Sequence, residues 1–437
     1  MRFPFLGRRA LTASGIYLSA VLGFLGQALA ARWLGLESYG LFAIVIAVTG
    51  FVQLAFDLTV EEAVVKYGFR YIAAEQWGKL RRLFRRGLEV KLVGSAVGAA
   101  VIAGLAPAGQ AIFGRGGLLV PLLIAALLPL AQAPEGIAAN ALLLRSRYDI
   151  RSFFLVVSMA TRFVALVIGA RHGVTVTIAL LVVAQAISSG LISAAGMVAF
   201  RRFPRAPQES LGSDRRDIIR FMKQSAVAST IVTAQGSVAP ILLGVVASPA
   251  AVGLFRVSLA PQQALAAISS PIRLILLTEQ TRDWERGDLH MVFAGVKRFT
   301  IGATALMVVA VPPLLVFMPQ LVRLVYSDKF AAAGNAARFV LVASALTFIV
   351  GWSKSLPVSI GRPGLRVLTY GVQAIVLIPL VAVFGVLWGA TGAAAALAVS
   401  SAVFTVHWGF LILRLHRESQ SGVLPPAVAA LPTEGPA

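Results

Sequence analysis

Long apolar runs separated by short charged connections form the main pattern along this chain. Residues 11–67 show it first, with an apolar run, the break RWLGLESYGLF at 32–42, and a second apolar run that ends in charged residues. Each run has about 20 residues, which as a helix crosses a hydrocarbon layer of about 30 Å. The pattern predicts two membrane-spanning helices joined by a tight turn, with Gly35 and Gly40 relaxing the backbone of that turn.

The same criterion predicts twelve spans over the whole chain, joined by connections too short for an extramembrane domain. The predicted fold class is therefore an all-α polytopic membrane protein. The spans are 11–31, 40–65, 88–107, 118–143, 153–170, 176–199, 218–243, 252–277, 295–317, 335–356, 365–384 and 388–413. The first run resembles a signal peptide, but it is longer than a typical cleaved one and another span follows at once, so we expect it to be retained.

Charge predicts the orientation of these spans. Most of the 39 Lys and Arg residues fall on connections that share one side, and basic loops face the cytoplasm, so both termini are predicted inside a bacterial inner membrane. With 58% hydrophobic and 13% charged residues, we attribute the net charge of +21 to these loops and not to a nucleic-acid partner. The chain has no cysteine, which excludes disulfides and thiol catalysis.

A faint internal repeat divides the chain into halves. GLF at 40–42 returns at 253–255, and EQWGKL at 75–80 resembles DWERGDL at 283–289. Six spans precede the basic connection 201–217 and six follow it, so the halves are parallel repeats with a substrate site between them near the midplane. The predicted domains are an N-terminal six-helix lobe at 1–200, a cytoplasmic linker at 201–217, a C-terminal six-helix lobe at 218–415 and a disordered cytoplasmic tail at 416–437.

Three segments are similar to a known family. RWLGLESYGLFAIVIAVTGFVQLAFDLTVEEAVVKY at 32–67 resembles the opening hairpin of the polysaccharide transporter family, which includes lipid-linked oligosaccharide flippases. AAVGLFRVSLAPQQALAAISSPI at 250–272 resembles the start of the family's eighth span, and SIGRPG at 359–364 resembles its connection after the tenth. The family shares a superfamily with lipid II flippases and with multidrug and toxin extrusion antiporters. The chain departs from the family pattern at Arg256, where a small or polar residue is usual.

The resemblance implies two six-helix lobes around a central cavity that opens alternately to cytoplasm and periplasm. It implies a substrate, undecaprenyl-pyrophosphate-linked oligosaccharide, that is flipped for surface or exopolysaccharide synthesis without covalent change, so no enzyme activity is expected. The implied partners are this lipid-linked oligosaccharide, membrane lipids, and a polysaccharide polymerase with its export machinery. The alternative function is a cation-coupled small-molecule antiporter of the multidrug type. A membrane glycan polymerase or ligase is disfavoured, because the longest outside connection, about 319–334, has one acidic residue, Asp328.

Charged residues inside the predicted spans are the candidate site residues, because a charge at mid-bilayer is costly unless it faces a cavity or a partner. A cationic lining would suit two phosphate groups, since guanidinium and ammonium donors bind phosphate oxygens strongly. The candidates for substrate binding are Arg162, Arg256, Arg273, Lys354 and Arg32. Two alternatives stay open. Arg32, Arg273 and Lys354, which lie toward the ends of their spans, extend to the interface, and Arg162 is neutralised by a salt bridge to Glu135 at the same depth.

Three acidic residues are candidates for binding a coupling ion: Glu135, Asp57 and Glu61. Asp57 and Glu61 are four residues apart on one helix face, and Glu135 follows Pro134, where a helix backbone is partly unpaired. The alternative is that these carboxylates pair with neighbouring basic residues. No histidine pair has metal-ligand spacing and no phosphate-binding glycine loop is present, so the predicted cofactor is none, apart from coupling to H+ or Na+.

Two further patterns make structural predictions. The segment GKLRRLFRRGLEVK at 78–91 has Leu80, Leu83 and Phe84 on one face, which predicts an amphipathic helix lying on the inner leaflet. Proline predicts kinks in the eighth and ninth spans, which would accompany opening and closing if spans one, two, seven and eight line the cavity. These prolines are Pro261, Pro271, Pro312 and Pro313.

Overall fold

The computed structural model describes residues 3–56, 60–113, 116–362 and 364–421. Within these residues every regular element is helical, which confirms the predicted all-α class. The α-helices are α1 (Phe3–Leu34), α2 (Leu36–Phe56), α3 (Val60–Ala73), α4 (Trp77–Phe113), α5 (Leu119–Ala125), α6 (Leu127–Leu144), α7 (Tyr148–Gly169), α8 (Val174–Arg201), α9 (Asp214–Val246), α10 (Pro249–Ser258), α11 (Ala260–Glu285), α12 (Leu289–Tyr326), α13 (Ala333–Ile349), α14 (Leu356–Ser359) and α15 (Gly364–Gln420). Short 3-10 helices, Asp328–Phe330 and Gly351–Lys354, lie on either side of α13.

The helices follow the predicted spans in order along the chain. Nine helical segments of the described residues are long and apolar enough to cross a membrane, and two shorter apolar helices accompany them. The 57 residues of α15 contain a break, because Gly389 has a φ of 56° and a ψ of −130° and so lies outside the helical region. The protein is a multi-pass membrane protein, and the number of twelve crossings stays a prediction.

The chain divides into two compact units, Met1–Arg256 and Val257–Ala437. In the first unit α1 packs along α7, α6 packs along α8, and α2 packs against α9. Small residues allow close approach at these crossings. Gly196 of α8, for example, lies against the Ala138 carbonyl of α6, where any side chain would overlap the oxygen. The predicted boundary between lobes at 201–217 stays a prediction.

In the second unit α13 packs against both α12 and α15. Its core contains Trp352 and Trp408, which are 2% and 0% exposed and meet edge to face with ring centroids 5.4 Å apart. The last helix extends into the predicted tail 416–437 as far as Gln420, where Glu418 accepts hydrogen bonds from Arg362 and Arg414, each at 2.9 Å. Residues 422–437 lie outside the described part of the chain.

The turn between α1 and α2 is tighter than the sequence predicts. It consists of Gly35 alone, whose φ of +75° is accessible to glycine at little cost. Gly40 was predicted to relax this turn, and that prediction is wrong, because α2 begins at Leu36 and contains Gly40. The missing side chain of Gly40 instead gives room to the backbone carbonyl of Pro249, which a Cβ would overlap.

Proline breaks two spans where the predicted pattern has a single helix. Pro129 has no N–H to donate to the Ala125 carbonyl, and α5 ends there while α6 begins at Leu127. A similar interruption lies beside Pro261, because α10 ends at Ser258 and α11 begins at Ala260. The kinks predicted at Pro261 and Pro271 of the eighth span stay predictions.

The ninth span, α12, remains helical through all three of its prolines, Pro312, Pro313 and Pro319. Pro319 leaves the carbonyl of Leu315 without its helical donor. Arg338 of α13 supplies a replacement, because its Nε donates to that carbonyl at 2.7 Å. A side chain from the neighbouring helix therefore satisfies the backbone group that the proline frees.

The amphipathic segment 78–91 does not lie on the membrane surface. It forms the first part of the 37-residue helix α4, and Leu80, Leu83 and Phe84 are between 1% and 7% exposed. These side chains join one apolar core with residues of α3, α6 and α8. The prediction of a leaflet-bound helix is therefore wrong, because the protein itself covers the apolar face.

The connection after α8 packs against the start of α4. Phe203 stacks on Trp77 with ring centroids 6.0 Å apart, and Arg81 donates to the Pro204 carbonyl at 3.1 Å. Gly78 permits this contact, since a Cβ there would be 2.6 Å from the Pro207 carbonyl. The predicted linker is thus packed against the first unit over part of its length.

Asp214, the first residue of α9, holds the end of this connection. It accepts a hydrogen bond from the Tyr71 hydroxyl at 3.1 Å, and Lys79 and Arg70 lie 3.6 and 3.9 Å from its carboxylate. Burial and the neighbouring Asp214 carboxylate raise the pKa of Tyr71 well above its ordinary value of about 10. Tyr71 therefore stays protonated and remains a donor at neutral pH.

Candidate functional site

Side chains of α6, α7 and α8 form a polar network inside the first unit. The Gln185 amide donates to Glu135 Oε2 at 2.9 Å and to Ser189 Oγ at 2.7 Å. The Ser189 hydroxyl donates to the same Glu135 oxygen at 2.7 Å, and Arg162 donates to Gln185 Oε1. We call Glu135, Arg162, Gln185 and Ser189 the Glu135 network. Arg162 and Glu135 are joined through Gln185, and no direct ion pair links them.

Helical spacing brings these side chains together. Gln185 and Ser189 are four residues apart on α8, each 1% exposed, and so point from one face toward α6. Their neutral donors stabilise the Glu135 carboxylate in place of water. The Arg162 guanidinium does not contact the carboxylate itself and is connected to it through Gln185. The structure therefore brings the two predicted residues into one network, and their roles stay predictions. Sequence reasoning missed Gln185, although an amide beside Ser188 and Ser189 in an apolar span was the available signal.

A second charged cluster lies on the side of α6 that faces α3 and α4. Lys91 Nζ is 3.0 Å from Glu61 Oε1, and Lys91 is 8% exposed. Asn140 of α6 donates to the Glu61 backbone carbonyl at 3.1 Å. We call Glu61, Lys91 and Asn140 the Glu61 cluster. Lys91 and Asn140 were not predicted as site residues. Lys91 lies near the start of a predicted span, where the sequence pattern is that of a basic residue flanking the membrane.

Arg256 lies against Tyr39 of α2. The buried Tyr39 hydroxyl donates to Gln27 Oε1 at 3.0 Å and accepts from the Arg256 guanidinium. Among the residues that the structure describes, no Asp or Glu forms an ion pair with Arg256. The Arg256 guanidinium is half-buried and donates to the neutral Tyr39 phenol, so its other donors are available to an anionic group.

The repeated GLF motifs meet beside Arg256. Gly40 of the first motif contacts the carbonyl of Pro249, and Gly253 of the second lies against the Leu36 carbonyl, from which a Cβ would be 2.8 Å away. The same Cβ would be 3.5 Å from the Cα of Gly40. Gly40 and Gly253, the glycines of the two GLF motifs, thus form one close contact between α2 and α10. The predicted topology places this contact at the outer ends of the two helices.

The remaining predicted residues are distributed over the chain. Arg32 is exposed near the end of α1, and Lys354 is half-buried in the 3-10 helix after α13. Arg273 belongs to α11, but its side chain, like the whole of Asp57, lies outside the described residues. Arg32, Arg162 and Arg256 fall in the first unit and Arg273 and Lys354 in the second. A single cationic lining therefore stays a prediction.

Comparison with known proteins assigns the family. The family model for polysaccharide biosynthesis proteins matches residues 9–276, more than half of the chain. The chain belongs to the polysaccharide biosynthesis protein family. The resemblance found in the sequence is therefore confirmed. No curated protein matches this family member.

Solved structures of transporters share its fold. A multidrug resistance MATE family transporter of the MOP superfamily, in an inward-facing conformation, is 14% identical with a TM-score of 0.76, over 92% of this chain and 96% of its own. The lipid II flippase MurJ, inward closed, is 12% identical with a TM-score of 0.73, over 94% and 91%. A MOP superfamily transporter from Pyrococcus furiosus is 12% identical with a TM-score of 0.62, over 94% and 97%. At these identities the similarity establishes the fold of this family member.

Proposed function

We propose that the protein is a flippase that moves undecaprenyl-pyrophosphate-linked oligosaccharide across the bacterial inner membrane by alternating access. The product would enter surface or exopolysaccharide synthesis, and no covalent bond changes. Family membership and the transporter fold support this proposal. The observation that favours an anionic lipid-linked substrate is Arg256, a half-buried guanidinium that contacts Tyr39 and pairs with no carboxylate of the described residues.

Arg256 is the proposed first contact for the pyrophosphate. A guanidinium presents several donors in a plane and binds phosphate oxygens in pairs, whereas its hydrogen bond to Tyr39 uses only part of that capacity. Arg162 has a different proposed role, because its guanidinium is already bonded to Gln185 and balances Glu135 through that amide. Arg32, Arg273 and Lys354 remain candidates for weaker contacts with the substrate.

Glu135 is the proposed site of the coupling ion, H+ or Na+. Its carboxylate accepts hydrogen bonds from Gln185 and Ser189, both neutral, and no cation of the described residues is in direct contact with it, which leaves the carboxylate oxygens open to an incoming cation or proton. Asp57 remains a second candidate by sequence alone. The proposed location is the inner membrane with both termini in the cytoplasm, and the further proposed partners are membrane lipids, a polysaccharide polymerase and its export machinery.

A strain that lacks this gene tests the proposal. We expect lipid-linked glycan to accumulate on the inner face of the membrane, with loss of one surface glycan. Complementation should succeed with the wild-type gene and with Arg298→Ala, an exposed arginine on α12, and should fail with Arg256→Ala. Normal export of every surface glycan, combined with sensitivity to small toxic cations, would support the alternative, a cation-coupled antiporter of the multidrug type.

A further inference from the structure

Lys91 is the charged residue with the least solvent exposure in the described part of the chain. It is 8% exposed, and it is the one charged member of the buried polar residues described there. It stands on α4 inside the segment Trp77–Gly109, which is apolar enough to cross a membrane. A buried ammonium is stable only with a close negative partner.

Three helices hold that partner in place. The Glu61 carboxylate of α3 lies 3.0 Å from Lys91 Nζ of α4. On α6, Gly136 leaves the space that the carboxylate occupies, because a Cβ there would overlap Glu61 Oε1. One turn further, Asn140 donates to the Glu61 backbone carbonyl at 3.1 Å. The pair is therefore built into the packing of α3, α4 and α6 and is not a chance contact of two flexible side chains.

We propose that Lys91 is a resident counter-cation that occupies the position a coupling cation would take at Glu61, so that Glu61 binds no transported ion. The inference rests on the proposed transport function only in that it concerns where the coupling ion binds. Lys91 is tethered beside the carboxylate, so its local concentration is high at all times and a monovalent ion must displace it to bind. The Glu61–Lys91 pair is neutral as it stands, and adding Na+ to it would place a second positive charge beside the buried Lys91 ammonium.

The Glu135 network provides the contrast within the same unit. Glu135 accepts hydrogen bonds from Gln185 and Ser189, which are neutral, and the Arg162 charge reaches it only through Gln185. The two predicted coupling-ion carboxylates that the structure describes are therefore not equivalent. Glu61 has a cation in direct contact, whereas Glu135 has none, and ion coupling belongs to Glu135.

The melting temperature of the purified full-length protein in detergent tests the proposal, measured in NaCl and in choline chloride at equal ionic strength. Lys91→Met should melt several degrees lower than wild type in choline and recover part of the loss in Na+, because Glu61 then lacks its counter-cation. The double variant Lys91→Met with Glu61→Gln should lose that Na+ response. Lys223→Met, the same change at an exposed lysine of α9, should match wild type in both salts.

Glu61→Gln in an otherwise wild-type chain decides the question even if Lys91→Met does not fold. We expect Glu61→Gln to leave any Na+ response of the wild type unchanged, since Glu61 binds no ion. A wild-type Na+ response that Glu61→Gln abolishes would overturn the proposal. Because melting is measured without substrate, this result is separate from the export phenotype that tests the proposed function.

Discussion

The interiors of the two units differ in how they bury polar groups. The first unit buries charge, in the Glu61 cluster and in the Glu135 network. In the described part of the second unit the buried hydrogen bonds join neutral side chains, such as Ser355 with Gln280 at 2.7 Å. The ion pairs of its described residues are Arg282 with Asp283 on α11, and Arg362 and Arg414 with Glu418 at the end of α15.

This difference predicts how strongly each unit responds to the loss of a buried polar group. A buried charge is stable only while its partner is present, whereas a neutral hydrogen bond is worth only about 0.5–1.5 kcal/mol. Removing one partner of a buried charge in the first unit should therefore cost more stability than removing one partner of a neutral hydrogen bond in the second.

The largest expected effect comes from Arg162→Ala. The substitution removes the positive charge that reaches the Glu135 carboxylate through Gln185, and loss of one partner of a buried charge pair costs up to about 3–5 kcal/mol. We expect a much lower yield of folded protein and a lower melting temperature in detergent. Glu135→Gln added to Arg162→Ala should restore most of the loss, because it removes the uncompensated charge. Normal melting of the single variant would mean that the network does not balance the Glu135 charge.

Close glycine contacts test whether the units differ in packing as well as in charge. A Cβ at Gly40 would overlap the Pro249 carbonyl, and a Cβ at Gly392 in the second unit would overlap the Phe384 carbonyl. Gly40→Ala and Gly392→Ala should each cost about 1–3 kcal/mol through overpacking. Gly190→Ala, on α8 with open space around it, is the matched control and should be neutral or stabilising by up to about 1 kcal/mol. Clearly different losses of stability for Gly40→Ala and Gly392→Ala would show that the two units also differ in how tightly their helices pack.

Gln280→Leu tests the neutral core of the second unit. The variant removes the acceptor of the Ser355 hydroxyl, but it also removes a buried Nε2 that has no partner in the described part of the chain. The two effects oppose each other, so we expect a loss of about 1 kcal/mol or less in thermal unfolding. Ser355→Ala added to Gln280→Leu should bring the protein close to wild type. A loss as large as that of Arg162→Ala would contradict the comparison of the units.

The smallest expected effect concerns the linker and is pH-dependent. Tyr71→Phe removes one of several partners of Asp214 and should cost about 0.5–1 kcal/mol at neutral pH. Because the folded-state pKa of Tyr71 is raised, its contribution is complete below pH 10 and is lost as the pH rises beyond that value. Wild type should therefore lose stability above pH 10 more steeply than Tyr71→Phe. Identical alkaline unfolding profiles would exclude this contribution.

The sequence predicts the spans well and the site only in part, for physical reasons. Span length and charge asymmetry reflect the bilayer, which acts on each segment separately, so α7 and α8 match their predicted limits within a few residues. Gln185 and Lys91 act through contacts between helices, and a single helix pattern does not contain that information. The segment 78–91 was mispredicted for the same reason. The sequence pattern of an amphipathic helix is the same whether lipid or protein covers its apolar face.

Flipping of labelled lipid by reconstituted protein is the most direct test of the proposed flippase function. Proteoliposomes containing a fluorescent undecaprenyl-pyrophosphate-linked oligosaccharide would be used, and the labelled lipid reaching the opposite leaflet would be followed by quenching. We predict transfer by wild type and by Arg298→Ala, a large loss with Arg256→Ala, and partial retention with Arg256→Lys, which keeps the charge and loses the paired donors. Equal transfer by Arg256→Ala and wild type, or no transfer by folded wild-type protein, would contradict the account.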